Sequence, residues 1–517
     1  MKRVTVGLAI GVLASSVLAR AQAPAQDARA VLEAVSAAMG GANLRTIEFT
    51  GSGVIFRHGQ AVLPFDPLPR FDVKSLVYAA DYVTPGSRVE MVRVQGSNPV
   101  RGGSPQPVIG EEKTVVYLNG GDGWAVNAAG AANRQPGGAG LDAGIIEQRQ
   151  VELWETPHGF LVAASRSAAA TVREQRIAGR RFRVVSFPRG KTRMVGYIND
   201  ENLVERVTTW VAHPVLGDMA IETAYADYRD WNGLKFPAHM TESWGGEVVL
   251  DLSLSGVKRD VAVDLTVPAA VRNTPLAPVT RIATAQIADG IYAIGGQNAN
   301  TIAIEFRDFI MAIEGGTHQE RSLAVIAEIK RIFPAKPIRY LVNTHAQYLD
   351  HSGGVRPYAA EGATIITHKD NKKWFEDVAF RGTWTIEPDR LSQLKTRPRI
   401  ETVDDRKVVT DGTREVVMYH LKGNTHDAAM LMVYLPAQKW VIQADAYSTN
   451  DTGAPLFAPA QPPPNAPPDF PRCCDARNFY DNVQRLKLDV ATIVPIHGVP
   501  APWDSFLSFL GKKRGES

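Results

Sequence analysis

The stretch that decides the fold is Asn343-Thr344-His345-Ala346-Gln347-Tyr348-Leu349-Asp350-His351-Ser352-Gly353-Gly354. It places two histidines and an aspartate in one short loop after residues 337–342, an apolar run with the length of a buried strand. Functional side chains commonly lie where such a strand passes into a loop. Imidazole and carboxylate groups together suit Zn²⁺ or a similar divalent ion, so the loop predicts a metal site. In the alternative interpretation, the histidines only cap and hydrogen-bond the loop.

Residues 1–23 predict a secretory signal peptide. Met1-Lys2-Arg3 is basic, residues 4–18 are apolar, and Ala21-Gln22-Ala23 offers a small-residue cleavage site. The apolar run is too short and wrongly flanked for a membrane span, and no cysteine follows it to carry a lipid anchor. We therefore expect a soluble exported protein, periplasmic in a host with two membranes and otherwise secreted.

The length and charge of the chain limit its domain count and its partners. About 490 residues remain after the predicted cleavage, which is too many for one core and indicates at least two domains. The 57 basic and 54 acidic residues leave a net charge of +3, a near balance that gives no indication of a nucleic-acid partner. We expect a small-molecule substrate, and nothing in the sequence points to an oligomeric state.

The two cysteines, Cys473 and Cys474, are adjacent. A disulfide between neighbours closes a strained ring, so a vicinal disulfide, two thiols and an intermolecular bridge all stay open. With no other cysteine in the chain, any metal site must be built from histidine, carboxylate and water.

The first half of the mature chain, residues 24–278, has the pattern of a mainly antiparallel β domain with one N-terminal helix. Apolar residues recur at helical spacing over residues 27–39 and stop at Gly40-Gly41. Short strand patterns follow, and together they predict one curved sheet. The clearest are residues 46–54, 113–118, 181–187, 203–211 and 248–254.

The second half, residues 285–517, follows a proline-bearing connector near residues 268–278 and has a different order of elements. Strand and helix patterns alternate to about residue 506, which predicts layered α/β structure. The proline-rich residues 461–468 are typical of an extended loop, one long enough to overhang a site.

Three further residues with metal-binding side chains follow strands or turns in this half: His426, Asp445 and His497. With the opening loop, their order resembles the metallo-β-lactamase fold superfamily. Its members carry a His-x-His-x-Asp-His loop, then a lone His, a lone Asp and a last His, at strand ends of an αββα sandwich. The resemblance covers about residues 287–510 and implies that fold for the C-terminal domain.

The resemblance also implies a two-ion site. His345 and His426 match ligands of the first metal, and Asp445 matches the bridging carboxylate. The second metal takes three residues from this chain: Asp350, His351 and His497. Asp350 would also orient the metal-activated water, and Glu314 stands where the family often has an acidic residue behind the ligands, although a plain turn explains it equally well.

The loop departs from the family pattern at one slot. Gln347 occupies the place of the middle histidine, and one residue is inserted between His345 and His351. A glutamine oxygen is a weaker ligand than imidazole for Zn²⁺. We therefore expect a complete second site and either an empty or a labile first site, with one or two Zn ions and Mn or Fe as alternatives.

The resemblance implies hydrolysis by a metal-activated water, and Asp445 narrows the substrate. Superfamily β-lactamases usually lack an acidic residue there, whereas thioesterases, lactonases and phosphodiesterases carry one. Cleavage of an ester, lactone, thioester or phosphoester is therefore the main hypothesis, with a periplasmic β-lactamase as the alternative. A third hypothesis is a non-catalytic protein that binds an apolar ligand and keeps a degenerate metal site, because the first half resembles the half-barrels of periplasmic lipoprotein carriers. An oligomerisation or lid domain explains that half equally well.

Overall fold

The computed structural model describes most of the chain from residue 27 to residue 515. The described ranges are 27–97, 100–103, 108–135, 143–275, 281–296, 299–347, 351–394, 397–455 and 476–515. Several sequence predictions therefore lie outside the described residues: the signal peptide, Asp350, the two cysteines and the proline-rich stretch at 461–468. Within the described ranges, no helix has the length and apolar character needed to cross a membrane.

The N-terminal region, residues 27–275, is built on one antiparallel sheet of thirteen strands, as the strand patterns predict. In spatial order they run β6-β5-β4-β3-β2-β1-β15-β14-β11-β10-β9-β8-β7. The strands are β1 (Thr46–Phe56), β2 (Arg70–Asp81), β3 (Gly86–Gln95), β4 (Glu112–Asn119), β5 (Asp122–Val126), β6 (Ala132–Gln135), β7 (Thr171–Ile177), β8 (Arg180–Arg189), β9 (Thr192–Ile198), β10 (Val204–His213), β11 (Gly217–Ala226), β14 (His239–Trp244) and β15 (Glu247–Arg259). A separate hairpin pairs β12 (Arg229–Asp230) with β13 (Lys235–Phe236).

Helices pack on this sheet. The predicted first helix, α1 (Ala28–Ala38), starts at Asp27, whose side chain accepts from the amide of Arg29 at 3.0 Å. Two further helices, α2 (Ala143–Glu155) and α3 (Pro157–Arg166), come from a stretch for which the sequence analysis predicts no element. Residues of all three helices share one apolar core with the strands. The short α4 (Ala269–Asn273) closes the region.

The C-terminal region, residues 281–515, contains two facing sheets. The first follows chain order: β16 (Ala283–Ala288), β17 (Ile291–Gly296), β18 (Ala299–Glu305), β19 (Ile310–Ile313), β20 (Ile338–Val342), β21 (Thr364–His368) and β22 (Arg399–Val403). The second also does: β23 (Arg406–Thr410), β24 (Glu415–His420), β25 (Leu431–Leu435), β26 (Trp440–Gln443), β27 (Thr492–Pro495) and β28 (Ala501–Pro502). The helices are α5 (Gln319–Ile332), α6 (Val355–Ala360), α7 (Lys372–Trp374), α8 (Arg390–Gln393), α9 (Ala476–Arg485) and α10 (Trp503–Phe509).

Three apolar layers make this region an αββα sandwich. Between the two sheets, Met311 and Val342 of the first share a buried core with Val433 of the second. Helices α5 and α6 cover the outer face of the first sheet. On the far side, α9 and α10 cover the second sheet. The predicted architecture is confirmed, and its fully apolar strands fit sheets that are buried on both faces.

The two regions touch through polar and apolar contacts. Val215, from the turn after β10, lies in the core under the first C-terminal sheet. The carboxylate of Asp218 accepts from the amides of Thr385 and Ile386, at 2.9–3.0 Å and 3.0 Å, and its own amide donates to Thr383 at 2.7 Å. The N-terminal region therefore has a defined docking position on the C-terminal one.

Candidate metal centre

The ends of two parallel strand pairs place most of the site. β19 pairs with β20 in the first sheet, and β26 pairs with β27 in the second, both in parallel. Because parallel strands end at one edge, residues that follow them come together there. Glu314 follows β19, His345 follows β20, Asp445 follows β26 and His497 follows β27. His351 belongs to the same loop as His345, while His426 comes from the connection between β24 and β25.

Asp445 is the centre of the cluster. Its Oδ2 lies 3.1 Å from Nε2 of His345, 2.9 Å from Nε2 of His351 and 3.0 Å from Nε2 of His426. Its Oδ1 lies 3.0 Å from Nε2 of His497. Four imidazoles thus point the same ring nitrogen at one carboxylate.

The ligand-type atoms divide into two groups of three that share Asp445. His345, His426 and Asp445 form one group, and His351, Asp445 and His497 form the other, with the atoms of each group within 4.8 Å of one another. These are the pairings that the resemblance implies for the first and second metal. Asp350, the remaining expected ligand, lies outside the described residues.

Burial and charge set the protonation of the cluster. Burial, followed by the neighbouring His351, lowers the pKa of His345 to about 3, which keeps that imidazole neutral. Burial opposes the charged form of Asp445, but His351 and His497 outweigh it and hold the pKa of this carboxyl well below its usual range. The centre therefore combines a carboxylate with at least one neutral imidazole.

These residues fit a divalent cation. Nε2 of His345, of His351 and of His426 is buried, yet none forms a hydrogen bond of good geometry with any described residue. A buried polar atom without a partner is costly and rare. Metal ions that accept lone pairs from the ring nitrogens would satisfy all three, one ion in each ligand group, and nitrogen with carboxylate oxygen is a donor set that Zn²⁺ prefers.

Glu314 supports the cluster from behind. Its Oε2 accepts from Nδ1 of His351 at 3.0 Å and from the hydroxyl of Thr344 at 2.5 Å, and its side chain is fully buried. A carboxylate on the far nitrogen fixes the tautomer and direction of a metal-binding imidazole. Glu314 also has a φ of +74°, a strained conformation for a non-glycine residue, which is typical of functional sites. This contact favours the acidic support role over a plain turn.

Gln347 is buried beside the cluster. Its Nε2 donates to the backbone carbonyl of His426 at 3.1 Å, and its backbone carbonyl accepts from the amide of Ser352 at 3.1 Å. The side-chain amide, expected as a weak metal ligand, is thus engaged with the loop that carries His426.

Other histidines and tyrosines lie apart from this group. His368 and His420 stack at 4.1 Å between ring centroids, and His420 contacts the carbonyl of Ala428 at 2.8 Å. Tyr447 is buried against Phe506 and Phe509, which is packing and not exposure to a cleft.

A family model described as the Metallo-beta-lactamase superfamily matches residues 294–497. Residues 294–497 form a metallo-β-lactamase superfamily domain. The match spans the strands and loops that carry every described member of the cluster, and the N-terminal region lies outside it. Among curated proteins, no significant match to the chain is found.

Solved structures resemble the metallo-β-lactamase domain at low identity. A metallo-β-lactamase from Pontibacter korlensis is 16% identical, with 44% of this chain and 97% of that chain covered and a TM-score of 0.33. The mono-zinc form of the metallo-β-lactamase FIM-1 from Pseudomonas aeruginosa is 17% identical, with 44% of this chain and 93% of that chain covered and a TM-score of 0.31. Rubredoxin oxygen:oxidoreductase from Desulfovibrio gigas is 18% identical, with 44% of this chain and 60% of that chain covered and a TM-score of 0.32. At these values no activity is carried over to this chain.

Proposed function

We propose that the protein is an exported, metal-dependent hydrolase of a small ester, lactone, thioester or phosphoester. The observation that carries the proposal is the pair of ligand groups that share Asp445, with three buried imidazole nitrogens that form no hydrogen bond of good geometry with a described residue. The proposed ligands are His345, His351, His426, Asp445 and His497, with Asp350 added from the sequence. Zn²⁺ suits this donor set best, and Mn²⁺ or Fe²⁺ are the alternatives.

Each described residue has a task in this proposal. A bound divalent ion would lower the pKa of a coordinated water from about 15.7 toward 7 and polarise the scissile carbonyl or phosphoryl group. Asp445 supplies negative charge to both ligand groups, since its Oδ2 faces His345 of the first group and His351 of the second. Glu314 holds His351 in one tautomer, with Nε2 directed at Asp445. The role of Asp350 in orienting the water stays a sequence-based prediction.

Metal content and turnover test the proposal together. We expect at least one ion per chain by elemental analysis after dialysis, and hydrolysis of a substrate from a panel of esters, lactones, thioesters and bis-p-nitrophenyl phosphate. His351→Ala should lose both metal and activity, because a ligand has no substitute. His239→Ala, on β14 and paired with Asp251, is the matched control and should lose neither.

Other results would select other functions. Hydrolysis of nitrocefin in preference to the panel would favour the β-lactamase alternative. Metal below about 0.2 ion per chain without turnover after Zn²⁺ or Mn²⁺ is restored would refute the hydrolase, since deprotonated ligands bind metal readily at neutral pH. Export is tested separately, by cell fractionation and by the N-terminal sequence of the mature protein, which we expect to begin near Pro24.

A further inference from the structure

The N-terminal region reaches the loop that carries His426. The amide of Gly102 donates to the carbonyl of Thr425 at 2.8 Å, and the amide of Ala428 donates to the carbonyl of Val62 at 2.8 Å. Thr425 and Ala428 lie on either side of His426 in the chain, so two interregion hydrogen bonds hold the backbone around this histidine. Val62 and Gly102 belong to loops that leave β1 and β3.

The same loops enclose the side chain of Gln347. A Cβ added to Gly103 would lie 2.0 Å from Oε1 of Gln60 and 2.3 Å from Oε1 of Gln347. The amide of Gly103 also donates to the backbone carbonyl of Gln60 at 2.9 Å. Gln347 therefore lies between Gly103 of the N-terminal region and the carbonyl of His426, to which it donates. Only glycine at position 103 leaves room for this arrangement.

We propose that Gln347 is not a metal ligand. Instead, Gln347 and Gly103 form a contact between the two regions, here called the bracket, that positions His426. A carbonyl oxygen can only accept, so the atom of Gln347 that faces His426 must be the amide NH₂. That bond directs the amide at backbone, whereas an imidazole in the same slot would offer a lone pair to an ion. At the position where the family has the middle histidine of the loop, this chain therefore has a residue that joins the two regions.

This inference rests on the proposed function and assigns the N-terminal region a part in it. His426 belongs to the first ligand group, with His345 and Asp445. Thr425 and Ala428, on either side of His426, bond to the N-terminal region, and Gln347, which donates to the carbonyl of His426, lies against Gly103 of that region. The bracket therefore acts on the first ion, through the position of His426.

Gln347→Glu separates a bracket from a ligand. A glutamate has the same shape but cannot donate to the His426 carbonyl at neutral pH, so we expect about tenfold weaker metal binding at the first group, the effect typical of a lost outer-shell bond. Co²⁺ titration followed by visible absorption reports that group spectroscopically. If Gln347 is a ligand, the added charge strengthens first-group binding, and tighter or unchanged affinity would overturn the proposal.

Gly103→Ala approaches the bracket from the other region. The three atoms nearest to the added methyl belong to the ends of two flexible side chains, so it should displace Gln347 without unfolding the chain. We expect the same tenfold loss and the same change in the Co²⁺ spectrum, with no additional loss in the Gln347→Glu background. Gly121→Ala is the matched control, because a Cβ there meets nothing within 4 Å, and it should leave metal binding unchanged.

The two failures are distinguishable. Wild-type protein that binds metal and hydrolyses its substrate, with a Gly103→Ala variant indistinguishable from it, would refute the bracket and leave the hydrolase standing. Wild-type protein that binds no metal would refute the hydrolase, and the bracket is then decided by thermal unfolding. In that case we expect the two substitutions to lower Tm non-additively, and additive effects would refute the contact.

Discussion

Oδ2 of Asp445 lies 2.9 Å from Nε2 of His351, in the second ligand group, and 3.1 Å from Nε2 of His345, in the first. Because both proposed ligand groups share this side chain, Asp445→Asn should lower metal content at both, and activity by at least about a hundredfold. Elemental analysis and Zn²⁺ competition with a chromogenic chelator measure the loss.

Asp427→Asn is the matched control for Asp445. Burial raises the pKa of Asp427 to about 7, and its Oδ1 accepts from the amide of Ala429 at 2.7 Å, a bond that asparagine can also accept. Asp427 belongs to neither ligand group. Equal metal loss in both variants would mean that the Asp445 effect is not one of ligation.

Glu314→Gln should weaken metal binding without unfolding the protein. The glutamine oxygen can still accept from Nδ1 of His351, but it lacks the charge that makes the imidazole a stronger ligand, and about tenfold lower affinity is expected. Chelator competition measures affinity, and circular dichroism checks the fold. Glu328→Gln, on α5 and paired with Arg331, is the control. Wild-type affinity in Glu314→Gln would argue that the contact is only structural.

The Arg356–Asp389 ion pair should be a large contributor to stability. Two guanidinium nitrogens of Arg356 contact the two oxygens of Asp389 at 2.5 Å and 2.9 Å, and the side chains are 4% and 3% exposed. Asp389→Asn leaves the buried guanidinium uncompensated and should cost about 3–5 kcal/mol in urea unfolding. The exposed Asp404→Asn serves as the control and should change little.

The same pair predicts part of the acid sensitivity. Burial alone would raise the pKa of Asp389, but the hydrogen bond and charge of Arg356 outweigh it and hold this pKa below its ordinary value of 3.8. A lowered carboxyl pKa stabilises the protein above the unfolded-state pKa, and that contribution is lost as pH falls through the folded-state pKa. We expect the difference in unfolding free energy between wild type and Asp389→Asn to shrink below about pH 4. A constant difference would contradict the assignment.

His158 should make the free energy of unfolding depend on pH between about 4 and 6.5. Burial lowers its pKa from 6.5 to about 4. Its full contribution is therefore present above pH 6.5 and decreases as pH falls to about 4, by about 3 kcal/mol in total. Burial raises the pKa of Glu242 to about 7, so its contribution to the free energy of unfolding is lost as pH rises, the opposite of the contribution of His158. Comparison of wild type with a His158 variant therefore isolates the contribution of His158. In His158→Gln the component should vanish, and an unchanged pH profile would count against it.

The C-terminal fold and the described cluster are predictable from the sequence because both depend on patterns within short stretches of the chain. A buried strand needs a continuous apolar run, and a ligand just after it needs only to be the right residue type, so His345, Asp445 and His497 are visible in the chain. The departure at Gln347 is equally visible. The assignment of these side chains as ligands stays a prediction that metal analysis must test.

Helices α2 and α3 differ in how clearly the sequence predicts them. Thr156 accepts from the amide of Gly159 at 3.1 Å, and Pro157 follows it at the first helical position. A capping threonine followed by proline is a recognised start of a helix, and it could have identified α3. For α2 the apolar residues are sparse and mixed with charged ones, so its pattern is weak.

What sequence alone determined is which residues carry chemistry and in what order: two histidines and an aspartate in one loop, then His426, Asp445 and His497. Only the tertiary structure decided that Val62 and Gly102 lie against the loop of His426, and Gly103 against Gln347. No short-range pattern encodes that contact, because its hydrogen bonds join backbone groups more than 300 residues apart, and backbone donors and acceptors are the same in every residue except proline.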